Sequence, residues 1–190
     1  MPRRPLLPES LASGAFTLAE ARAAGIDRRQ LSDPKFIRLS RGVYVARNSG
    51  VDEADVVRAY QRATPAAVVC RTTAARIHGL PFPVNTPDWR LEDSRFRIHL
   101  SYRATHRKDS GQLRWSQLDL SPEEIVTDGG LRITSRQRTL LDLSGNLRSF
   151  SLADLVVIGD HLVRTPRPKY EGRTEPYASI EQLRRMAERH

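Results

Sequence analysis

Arg28, Arg29 and Gln30 are three consecutive side chains with base-reading chemistry, inside the stretch DRRQLSDPKFIRLSRGVYV, residues 27–45. An arginine guanidinium matches the paired acceptors of guanine in the major groove, and a glutamine carboxamide matches the donor–acceptor pair of adenine. Ser32 adds a hydroxyl two positions on. Lys35, Arg38, Arg41 and Arg47 follow and suit phosphate oxygens, which raise affinity without carrying sequence information. Thr17, upstream, has a hydroxyl that could donate to a phosphate. The candidate DNA-binding set is therefore Thr17, Arg28, Arg29, Gln30, Ser32, Lys35, Arg38, Arg41 and Arg47.

These side chains need a helix and a hairpin to hold them. FTLAEARAAG predicts a helix with Thr17 as cap, Glu20 three positions later, and Gly25 just past its end. Asp27 is placed to cap a second helix over RRQLSD, which Pro34 stops at Asp33 at the latest. FIRL-SRG-VYV then reads as a β-hairpin with Gly42 in the turn. Helix, glycine turn, helix and hairpin form the order of a winged helix-turn-helix, in which the second helix presents its first residues to base edges. Leu31, Phe36, Ile37, Val43 and Val45 are the packing side chains of this segment.

Charge supports the placement. The 190 residues carry a formal net charge of +9, which favours an anionic partner. Residues 1–50 hold nine Lys/Arg against four Asp/Glu, whereas the rest of the chain holds 22 against 18, so the excess lies at the N-terminus. Arginine dominates, with Lys35, Lys108 and Lys169 the only lysines.

Beyond a linker over RNSG, residues 47–50, the pattern is mixed. Helices are expected over 52–63, over RTTAARIHG with Gly79 closing it, over RQRTLLDLSGNL with Ser135 as cap, over 151–164, and over SIEQLRRMAERH with Ser179 as cap. The helix at 151–164 is apolar enough to read as core. AAVVC, RFRIHLS and EEIVT-DGG-LRIT read as strands. SYRATHRK, residues 101–108, is a second basic patch that reads as a solvated loop. Arg136 and Arg138 oppose the dipole at the start of their helix, and Asp142 is four residues on from Arg138 as a partner. The expected organisation is a winged helix-turn-helix domain over 1–47 and an α/β domain over 51–190.

Catalytic patterns are missing. His78, His99, His106, His161 and His190 have no metal-ligand spacing, and no phosphate-binding glycine loop, G-x-S-x-G or Glu-x-Lys occurs. A metal-dependent nuclease needs clustered carboxylates near a lysine. Catalytic residues, a metal and a cofactor are accordingly not expected. Cys70, alone in the chain, reads as a small buried hydrophobe. The first twenty residues lack the apolar core of a secretion signal and no stretch has the apolar length of a membrane span, so the expected setting is cytoplasmic.

FTLAEARAAGI, RLSRGVYV, RTTAARIHGLPFP, RITSRQRTLLDLSG and GDHLVR, in this order over about residues 14–189, resemble the AbiE-type antitoxins of type IV toxin–antitoxin, abortive-infection systems, in their actinobacterial form and without a C-terminal nuclease-like domain. The resemblance implies an N-terminal winged helix-turn-helix that binds inverted repeats in the system's own promoter and represses it. It also implies a C-terminal α/β domain that neutralises a nucleotidyltransferase-like toxin without a stable complex. The family's DNA-contacting region maps here onto Arg28, Arg29, Gln30, Arg38 and Arg41. Many similar chains continue into a segment like the very-short-patch repair endonucleases, so the alternative expectation is the DNA-binding portion or a short relative of such an endonuclease.

Overall fold

The structure is a computed structural model that describes residues 8–83, 86, 89–91, 93, 96–103 and 108–190. Along the chain the elements are α1 (Glu9–Ala12), β1 (Ala15–Thr17), α2 (Leu18–Ala23), β2 (Phe36–Ser40), β3 (Val43–Ala46), α3 (Glu53–Ala63), β4 (Val68–Val69), α4 (Arg71–Ile77), β5 (Ile98–Ser101), β6 (Leu113–Ser116), β7 (Ile125–Asp128), β8 (Leu131–Thr134), α5 (Arg136–Ser144), α6 (Leu152–Val163), α7 (Pro168–Glu171) and α8 (Ile180–Arg189). The chain is a mixed α/β protein. Among the described residues, no helix is long and apolar enough to cross a membrane.

The chain divides into two compact units, Met1–Ala67 with Trp89–Gln117, and Val68–Asp88 with Leu118–His190. Residues 47–51, expected as the domain boundary, do not separate them. α3 stays with the first unit, and a segment 22 residues further on returns to it.

In the first unit, β1 and β2 both pair antiparallel with β3, which is the middle strand. Period-two alternation puts Phe16, Phe36 and Tyr44 into one core with Leu11, Ala21, Ile26 and Leu31. Phe36 meets Phe16 edge-on at 5.8 Å and Tyr44 stacks on it at 6.1 Å. The β2–β3 pairing shifts register between Arg38 and Ser40, a bulge at Leu39. The hairpin turn is Arg41–Gly42, with Gly42 at φ +95°. β5 and β6 pair in parallel in the same unit, from Ile98 with Leu113 to Ser101 with Ser116. Arg95, expected in the first of these strands, lies outside the described residues.

In the second unit, β8 pairs in parallel with β4 and antiparallel with β7. Ala75, Leu80, Leu143, Phe150, Ile158, Leu162 and Ala178 form its core. Cys70 is fully buried, as its apolar setting suggests. α6 departs from expectation. Ile158 and Leu162 are buried, but Leu152, Val156 and Val157 are 74%, 53% and 55% exposed, so only one stripe of this apolar helix is core.

Candidate nucleic-acid interface

α2 begins and ends as its residue types require. Thr17 accepts from the Glu20 N–H at 3.2 Å while Glu20 Oε2 accepts from the Thr17 N–H at 2.6 Å, a reciprocal cap. At the other end Ile26 N–H donates to Ala21 and Gly25 N–H to Arg22, with Gly25 at φ +75°. The capping role changes the reading of Thr17. Its side chain is only 5% exposed, so burial removes it from the phosphate-contacting surface.

The expected second helix is the larger correction. Asp27 caps it: Gln30 N–H donates to Asp27 Oδ1 at 2.8 Å and Asp27 N–H donates to Gln30 Oε1 at 2.7 Å. Yet the element is a single 3-10 turn, Gln30–Ser32. Pro34 has no N–H to return to the preceding turn and pushes Asp33 into extended backbone, at ψ 136°. Leu31 still anchors the turn in the core. Arg28, Arg29 and Ser32 are exposed, and Ser32 Oγ donates to the Arg28 carbonyl at 3.3 Å. Gln30 Oε1 is engaged by Asp27, so the carboxamide retains its Nε2 donor and one lone pair for adenine.

The hairpin carries the remaining cations at its two ends. At the strand end, Arg47 N–H donates to the Lys35 carbonyl at 2.8 Å and Arg47 Nε to the Pro34 carbonyl at 3.0 Å. The Lys35 ammonium lies 5.2 Å from the Phe36 ring centre. At the turn end, Arg38 Nε donates to the Ser40 carbonyl at 3.2 Å, and Arg41 is exposed. Five residues of strand separate the ends by about 16 Å. Apart from Thr17, the candidate set thus lies on one short turn and one hairpin.

The second unit uses arginine differently. Arg138, 5% exposed, donates from Nη1 to Glu124 Oε2 at 2.8 Å and to the Asp119 carbonyl at 2.9 Å, and from Nε to Asp142 Oδ1 at 2.9 Å. Glu124, fully buried, also accepts from the Ser121 N–H and from His190 Nε2 at 2.7 Å. Burial alone would push Glu124 up. The His190 and Ser121 hydrogen bonds and the Arg138 charge outweigh it and hold the carboxyl below its usual range. At Asp142 burial wins, and the carboxyl is pushed up despite Arg138. Arg136 stacks over the Tyr177 ring at 4.2 Å and reaches Asp128 at 3.7 Å. His78 places Nε2 on the Thr134 carbonyl at 2.7 Å and Nδ1 3.4 Å from Asp128 Oδ2, outside good hydrogen-bond geometry, and burial pushes it down. These groups tie strands to helices, and the helix-start arginines face acids.

Sequence reasoning missed one further feature of the first unit. Arg41, Tyr60, Lys108 and Trp115 line a common cavity of about 410 Å³. Its sequence signal is Gly111 in DSGQ, residues 109–112, just past the basic patch. Of the basic patch 101–108, Ala104, Thr105, His106 and Arg107 lie outside the described residues. The chain matches no protein-family model and no curated protein.

Proposed function

We propose that this chain is a duplex-DNA-binding antitoxin and transcriptional autorepressor of an AbiE-type, type IV system. One observation supports the DNA part above all: six exposed cations, Arg28, Arg29, Lys35, Arg38, Arg41 and Arg47, share a capped turn and the hairpin next to it. In this reading residues 17–47 act as a winged helix-turn-helix whose reading helix has shrunk to one turn. Arg28 and Arg29 read guanines, Gln30 and Ser32 supply polar contacts, and the hairpin cations grip phosphates. The operator is an inverted repeat in the system's own promoter. The antitoxin part rests on RGVYV, HGLPFP and TSRQRTLLDL, and assigns the second unit to countering a nucleotidyltransferase-like toxin in the cytoplasm without a lasting complex. The chain then works without catalysis, metal or cofactor.

A gel shift on the DNA upstream of its own reading frame tests this. Affinity should fall steeply with salt. Replacing both arginines, Arg28→Ala with Arg29→Ala, should weaken binding by about tenfold or more, since each good base contact is worth roughly 1–3 kcal/mol. Undiminished binding by that double variant would refute the assigned reading turn. Metal-dependent cleavage of the DNA would instead favour the endonuclease relationship.

A further inference from the structure

The cavity in the first unit has the chemistry of a ligand site. Its volume, about 410 Å³, lies within the range of small-molecule pockets. Arg41 enters from the hairpin turn and Lys108 from the loop before β6, and neither has a salt bridge among the described residues. Asp109 is the acid in the lining, and it is already committed. Its Oδ1 accepts from the Trp115 N–H at 2.8 Å and its Oδ2 lies 3.4 Å from Arg114 Nε. The balance left over is positive. Ser40 and Ser110 add hydroxyls.

One wall is aromatic. Trp115 lines the cavity, and its ring is braced edge-to-face by Tyr102 at 6.4 Å. Tyr60 lines it too. It is 3% exposed; among the described residues its hydroxyl has no partner in good hydrogen-bond geometry, with the Ser40 side chain as its polar neighbour, and burial pushes it up to about 12, so it stays a proton donor. The walls are held together by a close approach. A Cβ at Gly111, whose φ is +54°, would lie 2.8 Å from the Leu39 carbonyl oxygen, so the loop docks on the bulge of β2 in a way only glycine allows.

We propose that this cavity binds a nucleoside phosphate, with Arg41 and Lys108 on the phosphate and the Trp115 indole against the base. Untied cations alone would suit any anion, and an indole alone any flat ring. Their union in a cavity of this size selects a ligand with both parts, and base–aromatic stacking tolerates every base. The same chemistry is offered by a free mononucleotide and by an unpaired nucleotide of a strand. The site does not depend on the duplex reading of Arg28 and Arg29.

Calorimetric titration of the whole chain in phosphate-free buffer tests the proposal, using dAMP, deoxyadenosine, inorganic phosphate and a short single-stranded oligonucleotide as separate probes. dAMP should bind about tenfold or more tighter than phosphate alone, the contribution of one stacked base. Lys108→Gln, at an exposed position, should weaken dAMP by about tenfold, the loss of one charge-assisted bond. Trp115→Leu should bring dAMP down to the level of phosphate. An oligonucleotide that binds far tighter than dAMP identifies the source as single-stranded nucleic acid, and equal affinities identify a free nucleotide. The proposal is overturned if neither dAMP nor the oligonucleotide binds, if phosphate binds as well as dAMP, or if Lys108→Gln leaves dAMP affinity unchanged.

Discussion

Arg28 and Arg138 are the same residue type in opposite circumstances. Arg28 stands exposed in the turn leading into Gln30–Ser32, a turn tied by the Asp27 and Gln30 side chains, and among the described residues nothing holds its guanidinium. Arg138 is buried with Glu124 and Asp142, and its Nε and Nη1 donors are spent on their carboxylates and on a carbonyl. Arg62 lies between them. Its Nε meets Glu20 at 2.6 Å and its Nη2 the Ala15 carbonyl at 2.9 Å, on a side chain 46% exposed. An arginine-rich composition therefore says little about binding until each guanidinium is assigned to what it already holds. Tied arginines are structure, and untied ones are free to meet a partner.

That gradient is open to attack by urea denaturation at neutral pH. Arg138→Leu takes the arginine from between two buried carboxylates and should cost about 3–5 kcal/mol of unfolding free energy. A loss below about 1 kcal/mol, the level of an ordinary surface change, would break the contrast. The pH response of the same unit comes next. The folded state of His78 has a lowered pKa, so the unfolded chain takes up the proton first, and stability is fully present above the ordinary value of 6.5 and lost as pH falls through the folded value. His78→Gln should make the decline below pH 6.5 shallower. His161, lowered as well by burial, keeps part of it. A slope unchanged by the substitution would remove His78 from that account.

Arg62→Ala should cost about 1 kcal/mol or less, because its ion pair is solvent-screened and one hydrogen bond to a carbonyl remains to be lost. The smallest stability effect belongs to the double replacement of Arg28 and Arg29 by alanine, within about 0.5 kcal/mol of the parent. Paired with a collapse in duplex affinity, that result would sharpen the comparison most. A double variant that unfolds instead would place these arginines among the structural ones.

Local chemistry was readable in advance. The Thr17–Glu20 spacing, Gly25, the SRG turn and the Ser135 and Ser179 caps all behave as short-range rules require, because caps and turns are decided by neighbours in sequence. The same clarity misled at Thr17, which local rules place correctly as a cap but whose burial, invisible to them, takes it off the surface. Pro34 was legible as a stop, but the length left before it fell below one full α-helical turn. Non-local features left no trace in the pattern. The partner of Arg138 was readable as Asp142, four residues away, whereas Glu124, fourteen residues upstream, was not. Nor could any window show that the segment after residue 88 belongs with the first fifty residues. For the candidate interface, the candidate residues were named from sequence and all but Thr17 lie outside the core, whereas the cavity beside them was not foreseen.

The interleaving of the two units carries a consequence for the birth of the protein. Because the first unit includes Trp89–Gln117, it lacks two of its strands until about residue 117 has been made. By then Val68–Asp88, with β4 and α4, has already been made and must wait for β8 and α5. Each unit is completed by a segment far away in sequence, and in the second the β4–β8 pairing closes a long loop, which slows folding. A stop codon placed after residue 67 would therefore release the first unit without β5 and β6.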